Sequence, residues 1–305
     1  MTRILLTGGS GFVAAHVLET LLQRGHSVVT TVRSAQKGRH IVDAHPHHAH
    51  DTLDYVIVED IAKAGAFDKA VVSQPPFEAV IHTASPYHFN SKDNQKELLE
   101  PESVYKYAPN VKRVVITSSS AAILDHRQPT KVYAEADWCP VTEEEALIGP
   151  GDGYRASKTF AERAAWKFVE EKNPSFSLTV RIRDIMSGVC KQGLPATGNY
   201  LFVDVRDLAL GHALAVEKPE AANKRFFMVA GHFSNKEITE IIAEDFPSLR
   251  ENLPSGDALK PGDYPAVGPY GFDNTRSKEV LGMTYRPLKE SIVDAVKSLE
   301  RFFEH

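Results

Sequence analysis

Residues 4–16, ILLTGGSGFVAAH, constrain the fold of this chain more than any other stretch. An apolar run ends in glycines, and helical periodicity begins directly behind them. A strand-to-helix turn this tight needs a residue at ease with positive φ, which Gly8 supplies. Gly11 follows at the start of the helix, where the absence of a side chain lets a pyrophosphate approach the backbone, and Phe12 opens the helix itself. The free N–H groups and dipole of that helix then favour the phosphates. Ala14 stands where a third glycine would complete the dinucleotide fingerprint.

The same grammar repeats. Strand-like runs occur at 3–7, 27–33, 54–60, 79–85, 113–120 and 176–182, and helical patterns at 12–25 and about 154–172. Several strands are apolar on successive residues, as strands buried on both faces are. Strand, helix, strand at this spacing predicts an α/β chain with a Rossmann-type doubly wound parallel sheet. We expect a nucleotide-binding domain over 1–183, with parts of 200–217 and 271–283 returning to it. A smaller substrate-binding lobe is expected over 184–305, including strand-like 200–205 and 224–231 and helices near 206–217, 234–246 and 288–303. The histidine-rich run RHIVDAHPHHAH (39–50) reads as a solvated loop, since Pro46 interrupts it and no cysteine accompanies it, and we expect no metal.

The second strand ends TVRSAQK. An acidic residue there would bond a ribose 2′-hydroxyl; Arg33 and Lys37 suit a 2′-phosphate instead, so NADP(H) is the expected cofactor. Asp60 and Ile61 follow the third strand, where the adenine is expected, and Thr83, Ala84 and Ser85 close the fourth beside the cofactor's path. The net charge of -5, with no basic arm, argues against nucleic acid. No apolar run reaches the roughly 20 residues that span a bilayer. The short apolar N-terminus does not read as a secretory signal. Two cysteines, Cys139 and Cys190, without metal-type spacing, suit a reduced, cytoplasmic protein. A homodimer is the default assembly.

Strand-end residues of an open parallel sheet face the ligand crevice, and the fifth strand ends in ITSSSAA. Downstream, in YRASK, Tyr154 and Lys158 sit four residues apart, on one face of a helix. A free tyrosine titrates near 10, too high for a good acid at neutral pH. A neighbouring ammonium and an oxidised nicotinamide both favour tyrosinate. The expected chemistry is hydride transfer to a small-molecule carbonyl, with Tyr154 delivering the proton and Lys158 holding the ribose. Ser119 steadies the oxyanion, with Ser118 and Ser120 open alternatives by a one-residue slip.

The motifs TGGSGFVAAH, TSSSAA, YRASK and FVDVRDLA resemble the extended short-chain dehydrogenase/reductases. VIHTASPYHFN and the closing FDNTRSKEVLGMTYRPLKESIVDAVKSL resemble the dihydroflavonol 4-reductase and cinnamoyl-CoA reductase branch, especially its fungal aldehyde and ketone reductases. The resemblance implies an NADPH-dependent carbonyl reductase with Ser119, Tyr154 and Lys158 as its triad, and with Ser85 and Tyr87 toward the substrate. Tyr200, Phe202 and Phe89 are further candidates for an apolar pocket. The family pattern is shortened near 97–110, where Pro101 interrupts a helical pattern, and near 180–190. That shortening keeps open a cofactor-binding variant without turnover or a regulator. A nucleotide-sugar epimerase or dehydratase is a further alternative on the same fold.

Overall fold

The computed structural model describes residues 1–48, 52–85, 99–125, 127–183 and 194–303. Its centre is a parallel sheet. The first strand, β1 (Arg3–Thr7), has Ile4, Leu5 and Leu6 all at 0% exposure, so it is buried on both faces. Ile4 and Leu6 join one core cluster and Leu5 the opposite one, as the two-residue period of a strand requires. Helix α1 (Phe12–Gln23) buries Val13, Ala14, Val17, Leu18, Leu21 and Leu22, a single stripe at helical spacing. It stops before Gly25, whose φ of +78° is most easily adopted by a residue without a side chain.

β2 (Ser27–Val32) follows, and then α2 (Ala35–Asp43). This helix was not expected. Ser34 caps it, its side chain accepting from the Lys37 N–H, and Gly38 allows the helix to lie on Tyr55. A Cβ at Gly38 would fall 2.2 Å from the Tyr55 ring. The histidine-rich run is therefore not wholly a loop: Arg39–Asp43 are helical, and His45 pairs with Glu19 of α1 at 3.2 Å. β3 (Leu53–Ile57), β4 (Ala79–His82), α3 (Leu99–Tyr107) and β5 (Arg113–Ser119) complete the first half. Pro101 does not interrupt α3. The described helix runs through it, from Leu99 to Tyr107.

A short strand β6 (Val132–Tyr133) precedes α4 (Pro150–Lys172), which starts four residues ahead of Tyr154, with a proline at its first position. β7 (Ser177–Arg183), β8 (Leu201–Phe202), α5 (Val205–Glu217), β9 (Lys224–Phe227) and β10 (Gly231–His232) follow. The chain continues through α6 (Asn235–Asp245), β11 (Gly271–Phe272), α7 (Thr275–Leu281) and α8 (Leu288–Phe303). The strand order is β3-β2-β1-β4-β5-β7-β9, every pairing parallel, so the expected doubly wound Rossmann-type sheet is present. Chain order reverses between β1 and β4, which places a ligand crevice at their carboxyl ends.

α1 and α5 cover one face together with α7; α3 and α4 contribute to the other. The seventh strand, β9, comes from the stretch that sequence reading assigned to the smaller lobe, so the sheet draws on the chain well past residue 183. The pairs β8–β10 and β6–β11 form two small separate sheets. Phe202 is core, 8% exposed against Phe233, Leu288 and Ile292. Asp204 caps α5 and accepts from Ser291 of α8 at 2.7 Å, while Arg206 reaches Asp294 at 2.7 Å, so α8 is tied to α5. Burial pushes the Asp204 carboxyl up, but hydrogen bonds from Arg206 and Ser291 outweigh it and hold it down at about 2.

Candidate active site

The crevice begins at the glycine turn. Gly8 has φ +76°, and a Cβ there would meet the Ala84 backbone at 3.0 Å. The Gly8 N–H donates to Thr31 Oγ1 and the Gly9 N–H to the Thr31 carbonyl, both at 3.0 Å. Gly11 N–H closes the turn onto the Gly8 carbonyl at 2.8 Å and precedes the first residue of α1. Gly9 is more constrained than its neighbours: a Cβ would overlap Thr30 Oγ1 at 1.9 Å. Sequence reading missed Gly9 because the fingerprint names the flanking glycines, whereas the obstacle is a side chain from the next strand. Phe12 is 64% exposed at the mouth of the turn, edge-on to His16. Arg33 and Lys37 are both exposed, at the end of β2 and in the first turn of α2. The Thr31 contacts set that end of β2 beside the glycine turn.

Thr7 joins the turn to the strand across the reversal. Its hydroxyl accepts from the Thr83 and Ala84 N–H groups, both at 3.2 Å, and lies 2.9 Å from His82 Nδ1. An oxygen taking two donors gives its own proton to the third partner, so His82 Nδ1 is the acceptor and the ring is neutral. Burial, with Lys158 nearby, lowers the His82 pKa from 6.5 to about 3. Asp60 is exposed and accepts from the Ala62 N–H at 3.0 Å, while Ile61 is half-buried on the second core cluster. Thr83, Ala84 and Ser85 are half-buried just past β4.

At the end of β5 the three serines part company. Ser118 Oγ donates to Glu162 at 2.8 Å, and Ser120 Oγ accepts from Asn199 Nδ2 at 3.4 Å. Ser119 Oγ accepts from the Tyr154 hydroxyl at 3.3 Å, long for an O–H donor but correctly directed. Lys158 lies with its Nζ 5.8 Å from the centre of the Tyr154 ring and donates to Ser85 Oγ. Ser85, Ser119, Tyr154 and Lys158 thus meet at the carboxyl ends of β4 and β5. Tyr87 and Phe89 lie outside the described residues, as do 86–98 and 184–193; most of the second shortened stretch falls there, whereas the first is described from residue 99 onward. Tyr200 is half-buried, its ring 5.9 Å from that of Tyr270, whose hydroxyl donates to Asn199 at 2.6 Å.

The turn fits a dinucleotide: Gly8 and Gly9 stand where any Cβ meets protein, a helix N-terminus follows, and two exposed cations flank the next strand. Among the described residues no helix is long and apolar enough to cross a membrane. The family model described as "NAD dependent epimerase/dehydratase family" matches residues 4–187. Ketoreductase azaE of Aspergillus niger is 44% identical over 332 aligned positions, covering 97% of each chain. That alignment is longer than this 305-residue chain, as expected where segments are shortened. The crystal structure of Gre2 with NADPH from Candida albicans superposes with a TM-score of 0.83 at 32% identity, covering 99% of both chains. Yeast methylglyoxal/isovaleraldehyde reductase Gre2 complexed with NADPH gives 0.85 at 29%, again over 99% of each. The chain belongs to the NAD dependent epimerase/dehydratase family, as an extended short-chain dehydrogenase/reductase.

Proposed function

We infer that the protein is an NADPH-dependent reductase of aldehydes or ketones. The observation that carries this reading is the Tyr154 hydroxyl directed at Ser119 Oγ at 3.3 Å, with Lys158 beside it, at the carboxyl edge of a sheet whose glycine turn fits a dinucleotide. The names of the relatives, a ketoreductase and a methylglyoxal/isovaleraldehyde reductase solved with NADPH, support the same class.

Gly8, Gly9 and Gly11 would admit the pyrophosphate, and Arg33 and Lys37 would pair with a 2′-phosphate. Asp60 and Ile61 would flank the adenine, with Phe12, Thr83, Ala84 and Ser85 along the rest of the cofactor. When bound, the reduced nicotinamide supplies a hydride. The remaining steps belong to the chain. The hydroxyls of Ser119 and Tyr154 polarise the substrate carbonyl, and Tyr154 passes its proton to the oxygen as negative charge develops there. The Lys158 ammonium supports the tyrosinate that is left, and the neutral His82 adds no competing cation beside it. Ser85, already bonded to Lys158, would border the substrate side, with Tyr87 two residues on in the chain.

A cytoplasmic homodimer is part of the same reading, the buried free thiol of Cys139 suiting a reducing compartment. A cofactor-binding protein without turnover is not favoured, since Tyr154, Lys158 and Ser119 are all present and meet. The test is NADPH consumption by the purified chain over a panel of aliphatic and aryl aldehydes, ketones and diketones. Consumption matched by alcohol formation is expected, with NADH at least about tenfold less effective. No turnover on any member by folded, NADPH-binding protein would refute the proposal.

A further inference from the structure

Tyr154, Lys158 and Glu162 lie four residues apart in succession on α4, so they share a helix face. Glu162 has no part in the chemistry above, yet it is 3% exposed, a position at which an unpaired carboxylate would be costly. Its partner is Arg225 of β9, itself 6% exposed. Arg225 Nε donates to Glu162 Oε1 at 2.5 Å, and Nη2 donates to Oε2 at 3.1 Å. The same Nη2 reaches the Ala122 carbonyl at 3.4 Å, while Nη1 serves the carbonyls of Glu135, at 3.0 Å, and Asp137. A guanidinium has five N–H donors, and here each has an acceptor. The Trp138 ring stacks on it, 4.0 Å from its carbon.

The acceptors define what the group holds. Ala122 follows Ser119 by three residues, and Ser118, the residue before it, donates to the same Glu162 carboxylate at 2.8 Å. Glu162 rides on the helix that carries Tyr154. One planar group therefore fixes the serine side and the tyrosine side of the crevice relative to each other. Stability is a weak account of such a pair, since apolar residues of like volume often serve as well. We propose that Arg225 is a positioning residue for the reaction, setting the approach of Ser119 to Tyr154 through Glu162 and the backbone around Ser119. The inference rests on the roles given to Ser119 and Tyr154 above. A lysine cannot replace it, because three donors on one nitrogen cannot span acceptors on three segments.

The test is a double-mutant cycle on the best carbonyl substrate of the panel, with Arg225→Lys, Ser119→Ala, the double variant and Tyr154→Phe. Arg225→Lys is expected to lower kcat by about 10- to 100-fold, as a misplaced reacting group does, while the NADPH Kd moves by less than about threefold. In the Ser119→Ala background the same change should cost less than about threefold, because the group it aims is gone. Equal losses in both backgrounds, or kcat within about twofold of wild type, would overturn the role of Arg225. Should Arg225→Lys fail to fold, Ser118→Ala decides on the same readouts, with a loss of about three- to tenfold expected and none in the Ser119→Ala background. Undiminished turnover by Tyr154→Phe would instead overturn the reading of the triad.

Discussion

At the glycine turn the crevice is shaped mainly by backbone. Gly8 and Gly9 donate to Thr31, Gly11 closes onto Gly8, and Thr7 gathers the N–H groups of Thr83 and Ala84. At the reacting end the work falls to side chains: Ser119, Tyr154 and Lys158 meet, and behind them an arginine and a glutamate are buried together. The two ends differ in how they are encoded. A backbone turn is written in contiguous residues, because sterics act locally. A side-chain constellation is assembled from residues as far apart as Ser118 and Arg225, and on the proposal above its accuracy depends on groups behind the crevice. Damage at the first end should appear in cofactor affinity, and at the second in turnover.

The largest effect is expected for Tyr154→Phe, which should lower kcat by about 10²- to 10⁴-fold while the NADPH Kd, read by fluorescence titration, stays within about threefold. Loss of binding along with turnover would blur the division between the two ends. Gly9→Val is the complementary break. Its branched side chain has to displace Thr30, and we expect NADPH affinity to fall by about 100-fold or more, roughly 3 kcal/mol. Near-normal binding would show that the turn yields more easily than its contacts imply. Arg33→Ala sharpens the comparison within the nucleotide end. The NADPH Kd should rise about tenfold and that for NADH should hold, since only the former carries a 2′-phosphate.

The smallest effect is on stability. His82 has its folded pKa depressed to about 3 against 6.5 for the free group. Its contribution is complete above pH 6.5, where the ring is neutral in both states. It is lost as pH falls from 6.5 toward 3, because the unfolded chain takes up a proton that the folded chain refuses. By pH 5 that amounts to about 2 kcal/mol. Urea unfolding at pH 7.5 and pH 5 should show it, and His82→Gln, which keeps an acceptor for Thr7, should reduce the difference. An unchanged difference would mean that other groups set the acid sensitivity.

Much of the molecule was legible in the sequence. The strands of the first half, the glycine turn, and the helices around α5, α6 and α8 follow from hydrophobic period and capping residues such as Ser234, whose side chain accepts from the Glu237 N–H. α2 was hidden because its second half runs into the histidine-rich stretch that reads as loop composition; the helix exists because Ser34 caps it and Tyr55 lies against Gly38. The position of β9 was illegible for another reason. KRFF announces a strand but not its neighbours, and its pairing with β7 emerges only when the sheet closes. At the site, spacing gave Tyr154 and Lys158, and the serine cluster gave a choice of three. The partners favour Ser119 in the proposed role: Ser118 bonds Glu162, Asn199 reaches Ser120, and the Tyr154 hydroxyl is directed at Ser119. Arg225 had no local signal at all, since its meaning lies in acceptors scattered from Ala122 to Glu162.

The central claim, hydride from a bound cofactor with the proton from Tyr154, is tested most directly with NADPH deuterated at the transferring position of the nicotinamide. With wild-type protein and a carbonyl substrate, we expect one deuterium on the carbinol carbon of the product. With Tyr154→Phe we expect NADPH to bind and no labelled alcohol to form above about one part in a hundred of the wild-type rate. Alcohol without deuterium, or labelled alcohol from Tyr154→Phe at the wild-type rate, would contradict the account.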